Sequence, residues 1–106
     1  MKLLDLVNNI NSALKAANKL LRDGGHKTIS FRELETLIFV SIDGAKGLAK
    51  LAQLRGVSSA AITGAVDALE KKRLALREHS AQDRRVIPVR LTPLGDKVLK
   101  IASDAL

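Results

Sequence analysis

Residues 47–92 read GLAKLAQLRGVSSAAITGAVDALEKKRLALREHSAQDRRVIPVRLT, and the order of signals along them decides the fold. Gly47 to Leu54 sets apolar residues at Leu48, Leu51 and Leu54, a helical spacing that stops at Arg55-Gly56-Val57, where Gly56 suits the positive φ of a helix end. Ser58 restarts the chain. Its hydroxyl is suited to accept from the free N–H groups of a second helix, whose inward positions read as Ala61, Ile62, Val66 and Leu69. Two helices joined by a short turn that contains Gly form a helix-turn-helix, which presents its second helix to a DNA major groove. A hairpin follows. Leu74 and Leu76 are expected inward on one strand and Ile87, Val89 and Leu91 on the other, with His79, Asp83, Arg84 and Arg85 in the connection.

The whole chain is consistent with such a unit. Its 106 residues, 46% hydrophobic and 27% charged, make one small domain with a core of modest size. The absence of cysteine excludes disulfides, thiolate metal sites and thiol redox sensing, and points to an intracellular, cytoplasmic protein. The opening MKLLDLVNNI, with Asp5, Asn8 and Asn9, does not read as a signal peptide, and no apolar run is long enough to span a bilayer. A net charge of +7 and a pI near 10.2 imply an acidic partner, nucleic acid first. Position sharpens this: residues 58–91 hold seven Lys and Arg against four Asp and Glu.

Catalysis finds no footing. His26 and His79 both fall in loops, and neither stands in a metal-ligand or triad spacing. Gly24-Gly25 is a helix end without the Gly-Lys-Ser/Thr of a phosphate-binding loop. The expectation is a non-enzyme with no cofactor and no metal.

Before the helix-turn-helix, a helix is expected from Leu3 to Arg22. Leu3, Val7, Ile10, Leu14, Ala17 and Leu21 recur at the spacing of a seam between helices, beside a second apolar band of Leu4, Leu6, Ala13, Ala16 and Leu20. Two apolar bands favour a homodimer, with one face turned to the core and the other to a partner helix. Ser30 with Glu33 three residues on is a capping box, opening a helix from Phe31 to Ile42 that is apolar on most sides and reads as the central buried one. Phe31 and Phe39 are the only Phe, Tyr or Trp residues. Both are expected in the core, and their scarcity argues against stacking recognition of single strands. After the hairpin, Thr92 and Pro93 open a last helix with a seam at Leu94, Val98, Ile101 and Ala105. The expected dimer contacts are Leu3, Val7, Ile10, Leu14, Leu21, Val98 and Ile101.

An inward face at Ala61, Ile62, Val66 and Leu69 turns Ser59, Ala60, Thr63, Gly64 and Asp67 outward, with Ser58 at the positively polarised end. Ser58, Ser59, Ala60, Thr63 and Gly64 are therefore the candidate base and phosphate contacts, though none is a strong base-specific reader. Two arginines at a hairpin tip project, and a guanidinium suits a narrow minor groove. Asp83 stands close enough to hold one of them through a charge-assisted hydrogen bond. Lys71, Lys72, Arg73 and Arg77 are candidate phosphate contacts, with Arg77 and Arg90 expected to flank each other on the outer face of the hairpin. Pro88, unable to donate to a ladder, predicts that its face of the strand is a free edge.

With LAQLRGVSSAAITGAVDALEKKRLALREHSAQDRRVIPVRLTPLGDKVL in view, the run from Phe31 to Leu106 resembles the winged helix-turn-helix domain of the MarR group of transcriptional regulators. The resemblance rests on the helix-turn-helix at Leu51–Leu69, the wing signature Asp83-Arg84-Arg85 and the junction Leu91-Thr92-Pro93-Leu94-Gly95. It implies a mainly α fold with a small β-hairpin wing, in which residues 1–29 form a dimerisation helix and loop, 30–91 the DNA-binding unit, and 92–106 a helix at the dimer contact. It implies a homodimeric regulator, expected to be a repressor, on an inverted-repeat site in double-stranded DNA; similar proteins usually continue into a further C-terminal helix that this sequence lacks, so the dimer is expected to use the first and last helices, and whether a small-molecule effector binds is left open. An Asp-x-Arg pair in similar proteins maps onto Asp83 and Arg85, leaving Arg84 on the exposed side. Two further departures stand out: Gly64 where a longer basic or polar side chain is common, and Arg73 where a helix-ending Gly is common, which predicts a helix exit that is either slightly strained or differently shaped. The competing reading is a winged-helix accessory factor that binds a protein partner, with weak or non-specific DNA binding.

Overall fold

The computed structural model describes residues 2–78, 83 and 85–106. Five helices and one hairpin follow in order: α1 (Lys2–Asp23), α2 (Phe31–Asp43), a single 3-10 turn (Gly44–Lys46), α3 (Leu48–Arg55), α4 (Ser59–Lys71), β1 (Ala75–Arg77), β2 (Val89–Leu91) and α5 (Pro93–Asp104). This is the mainly helical, winged architecture expected from the sequence. One apolar core joins all of it, running from Ala17 and Leu21 of α1 through Leu37 of α2, Leu51 of α3 and Val66 of α4 to Val89 and Val98.

Helix α1 packs along α5 but outruns it. At about 1.5 Å per residue, its 22 residues reach about 33 Å against about 18 Å for the 12 of α5. Ala13, Ala17 and Leu21 are buried, whereas Leu3, Leu4, Leu6 and Val7 on the overhanging half stay exposed. The Asn18 carboxamide then fastens the following loop to α1, donating to the Ile29 carbonyl at 3.0 Å and accepting from the Ile29 N–H at 2.7 Å.

Ser30 and Glu33 form the expected capping box: Ser30 Oγ accepts from the Glu33 N–H at 3.1 Å, and Glu33 Oε1 accepts from the Ser30 N–H at 2.8 Å. The helix they open is less enclosed than its composition suggests. Leu34, Leu37 and Val40 are buried, but Phe31, Ile38 and Ile42 are exposed, which corrects the reading of α2 as buried on most sides. Phe31 and Ile38 line an apolar groove of about 570 Å³ between α1, α2 and α5, with Leu6, Ile10, Leu99 and Leu106 on its other walls. Phe39 is half-buried with the Arg55 guanidinium 4.6 Å above its ring.

The hairpin is short and antiparallel, with Ala75 opposite Leu91, Leu76 opposite Arg90 and Arg77 opposite Val89. Leu74, Val89 and Leu91 are buried as expected and Ile87 is half-buried, but the inward position of β1 is Ala75, not Leu76. Leu74 and Ala75 are both buried while Leu76 is exposed. The cause is the exit from α4, where Arg73 takes a left-handed φ of 62°, so that Leu74 turns into the core before the strand begins. The exit thus keeps the left-handed shape that a helix-ending Gly would give it, with the Leu74 N–H donating to the Leu69 carbonyl at 2.9 Å, and of the two expected outcomes it is the strain, borne by Arg73, that the structure shows. Pro88 is a second correction: it lies on the paired edge, its carbonyl accepting from the Glu78 N–H at 2.7 Å, and the donor it lacks ends the regular ladder there. The base of the hairpin is closed by Thr92. Its N–H donates to the Leu74 carbonyl at 3.0 Å, its hydroxyl donates to the Arg73 carbonyl at 2.7 Å, and the same oxygen caps α5 by accepting from the Gly95 N–H at 3.0 Å. Gly95 is needed because a Cβ there would collide with the Leu74 carbonyl.

Candidate nucleic-acid interface

The turn between α3 and α4 is built as its residues suggest. Gly56 is left-handed at φ 68° and donates to the Ala52 and Gln53 carbonyls, and Val57 N–H donates to Ala52 at 3.0 Å. Arg55 pins this turn to α2 by pairing with Glu35 and donating to Thr36 Oγ1 at 3.2 Å. Ser58, extended at φ −70° and ψ 159°, accepts from the Ala61 N–H at 3.1 Å and starts α4. Ile62, Val66 and Leu69 face the core. Ala61, expected with them, is exposed, because the inward stripe follows Ile62, Val66 and Leu69 at steps of four and three, and Ala61 falls beside it. The outward face is correspondingly broad, with Ser58, Ser59, Ala60, Thr63, Gly64 and Asp67 all exposed.

The returning arm of the wing rests on the start of α3, where the Leu48 N–H donates to the Ile87 carbonyl at 3.1 Å. At the wing, Asp83 Oδ1 accepts from the Arg85 backbone N–H at 2.9 Å and from its Nε at 3.1 Å, while Oδ2 accepts from the guanidinium at 3.3 Å. These hydrogen bonds, those from the Arg85 side chain foremost, hold the Asp83 carboxyl below the usual carboxylate range. The Arg85 side chain is nonetheless 91% exposed, so it is oriented without being buried. Arg84 and His79 lie outside the described residues. Arg85 and Ile87 from the wing, Leu48 and Ala49 from α3, and Ser59, Ile62 and Thr63 from α4 line one cleft of about 200 Å³. The wing arginine and the exposed hydroxyls of α4 therefore face the same side.

The other expected contacts divide. Lys71 and Arg73 are exposed at the end of α4. Lys72 instead reaches back to α2, where Nζ meets Glu33 Oε1 and the Thr28 carbonyl, each at 2.8 Å. Arg77 turns toward α4, meeting Asp67, Glu70 and the Thr63 carbonyl, and so does not flank Arg90 on the outer face. Arg90, on the opposite face of the hairpin, pairs with Glu78. Sequence reading missed these pairings. The one available signal was the spacing of Asp67 and Glu70, which puts two acids on neighbouring positions of α4. Among the residues expected to bury a dimer contact, Leu21 and Val98 are enclosed within the chain's own core, Ile10 and Leu14 are half-buried, and Leu3, Val7 and Ile101 are exposed. Among the described residues no three His, Asp or Glu side chains gather to hold a metal ion, and no helix is long and apolar enough to cross a membrane.

Comparison with known proteins agrees with this geometry. Residues 29–87 match the model of the MarR family. YpoP of Bacillus subtilis, described as an HTH-type transcriptional regulator, is 36% identical over 74 residues, covering 70% of this chain and 52% of that protein. YfiV of the same organism, described likewise, is 31% identical over 72 residues, covering 68% of this chain and 45% of its own length. The chain thus spans about half the length of these two relatives. Among solved structures, Streptococcus pneumoniae FabT in complex with DNA superposes with a TM-score of 0.70 at 25% identity over 93% of this chain and 69% of that one. The regulator Tm0710 of Thermotoga maritima gives a TM-score of 0.68 at 25% identity, covering 98% and 70%.

Proposed function

The chain belongs to the MarR family, and from that premise we propose that it is a transcriptional regulator that binds double-stranded DNA as a homodimer in the cytoplasm, most simply a repressor occluding an inverted-repeat operator. The FabT complex supports the choice of DNA as partner. The observation that carries the proposal is the shared cleft: Arg85 of the wing and Ser59 and Thr63 of α4 line it together. A helix on that side enters a major groove about 12 Å wide, and an arginine beside it reaches the adjacent minor groove. Ser58, Ser59, Ala60, Thr63 and Gly64 supply the helix contacts, Arg84 and Arg85 the wing contacts, and Lys71 and Arg73 flanking phosphate contacts. The dimer is proposed from the overhanging half of α1, where Leu3, Leu4, Leu6 and Val7 are all exposed.

Two α4 helices related by a two-fold axis would read half-sites about one helical turn apart, or a multiple of it. Selection of bound duplexes from a random library near physiological salt tests this. Recovery of a palindromic motif is the expected result. Retention without a motif would replace sequence-specific regulation by sequence-tolerant binding. No retention would shift the function to a protein partner, a reading favoured by the short outward side chains of α4 at Ala60 and Gly64.

A further inference from the structure

Four acids lie between Ser58 and Leu91, namely Asp67, Glu70, Glu78 and Asp83. Each is met by an arginine of the hairpin: Asp67 and Glu70 by Arg77, Glu78 by Arg90, and Asp83 by Arg85. The three arginines are not equivalent. The side chain of Arg77 is 23% exposed, against 57% for Arg90 and 91% for Arg85. From β1 it crosses to α4, where one terminal nitrogen donates to Asp67 Oδ1 at 2.6 Å and to the Thr63 carbonyl at 3.3 Å, and the other pairs with Glu70. Both terminal nitrogens of the fork are thus already engaged within the chain.

The location of its partners gives this contact a consequence for DNA. Asp67 continues the ridge of Ser59 and Thr63, one turn beyond Thr63, and its side chain is 51% exposed. A carboxylate there without its arginine would stand beside a duplex carrying one negative charge per roughly 1.7 Å of axis. We propose that Arg77 is a positioning residue for DNA binding: it masks Asp67 and Glu70 and pins β1 to α4, fixing the wing beside the recognition helix, and it makes no phosphate contact itself. This rests on the duplex binding proposed above. The hold on the Thr63 carbonyl ties the same clamp to the centre of the outward face.

A clamp and a phosphate contact differ in two measurable ways. Loss of a phosphate contact lowers the slope of log K against log salt by about 0.9, and neutralising Asp67 and Glu70 then changes affinity by the same factor with or without Arg77. Loss of the mask is undone by removing the acids it covered, whereas loss of the pin is not and is read in the thermal midpoint. The test uses the full chain and the duplexes retained in the selection, between 50 and 200 mM salt, with R77M, D67N/E70Q and the triple variant. Met keeps the half-buried stem of Arg77 packed. R77M is expected to bind roughly tenfold more weakly, and the triple variant to return to within about threefold of the wild type with its slope unchanged. Equal weakness of R77M and the triple variant, with the slope lowered by about 0.9, would overturn the proposal. Should R77M fail to fold, the triple variant alone decides, because it leaves neither acid charged: near-wild-type affinity and slope support the masking, and a slope lowered by about 0.9 for each protomer bound overturns the proposal. Failure of the wild-type chain to retain duplex would instead overturn the proposed function. Thermal melts without DNA read the clamp separately, and an R77M midpoint equal to that of the wild type would overturn it there.

Discussion

Truncating Arg85 to Ala tests whether the wing touches DNA at all. The side chain is 91% exposed, and among the described residues its hydrogen bonds run to Asp83. Folding stability should therefore stay within about 0.5 kcal/mol of the wild type, as for surface substitutions away from special features. Binding should not. A guanidinium that neutralises a phosphate contributes about 0.9 to the slope of log K against log salt. Across a fourfold change from 50 to 200 mM, that slope amounts to a factor of about 3.5 for each contact. The deficit of R85A relative to the wild type should accordingly be largest at low salt and shrink at high salt by about that factor for each wing that contacts the duplex. Fluorescence anisotropy on one labelled duplex at four salt concentrations measures it. D83N/R85A, which removes the acid as well, should show the same reduced slope, because the slope counts phosphates neutralised and not the protein's net charge. A deficit that stays constant across salt, or no deficit, would refute the minor-groove role of the wing arginine.

Other consequences concern the joints that hold the wing. Arg73→Gly should stabilise the chain by about 0.5–1 kcal/mol, because the left-handed φ of 62° costs a side chain about 1–2 kcal/mol and the added freedom of Gly returns only part of it; a lowered calorimetric midpoint would refute the strain. Gly95→Ala should destabilise by about 1–3 kcal/mol through collision with the Leu74 carbonyl, read as a fall in urea midpoint at constant m. Burial alone would raise the Glu33 carboxyl, but the Lys72 ammonium and the Ser30 groups outweigh it and hold it below its ordinary value. The stabilisation from Glu33 is thus present at neutral pH and lost as pH falls through that lowered value, so Glu33→Gln should destabilise at pH 7 and cost much less at pH 3; an equal cost at both would refute the linkage.

The elements legible in the sequence are those set by local chemistry. Ser30 with Glu33, Gly56 before Ser58, and Thr92 with Pro93 each fix a helix end through atoms a few residues apart, and each sits where its spacing placed it. What could not be read depends on which side of an element the rest of the chain covers. Phe31 and Ile38 are as apolar as Leu34 and Leu37, yet they border an open groove between α1, α2 and α5 instead of the closed core. Leu76 obeys the alternation of a strand counted from Leu74, but the strand begins only at Ala75, after the left-handed Arg73 has turned Leu74 into the core, so Ala75 takes the inward face and Leu76 the outer one. The candidate interface shows the same division. The outward positions of α4 follow from its inward stripe, whereas the pairing of Lys72 with Glu33 spans 39 residues and that of Arg77 with Asp67 joins a strand to a helix. No period in the sequence distinguishes a basic residue that projects from one that is spent on a neighbour.

That distinction changes how the charge of this surface should be counted. The seven basic residues of 58–91 are not seven phosphate contacts, since Lys72 and Arg77 are engaged inside the chain. On the proposed reading they act indirectly, by cancelling Glu33, Asp67 and Glu70, and add nothing to the counterions released. The salt slope then becomes a count of protomers as well as of contacts. If one chain binds, removing Arg85 lowers the slope by about 0.9; if a two-fold pair binds with both wings down, the same substitution lowers it by about 1.8, a factor of about 12 between 50 and 200 mM. Few exposed basic groups make that difference a large fraction of the total. A slope change near 1.8 per complex would therefore support the homodimer from the DNA side, independently of any measurement on the exposed half of α1.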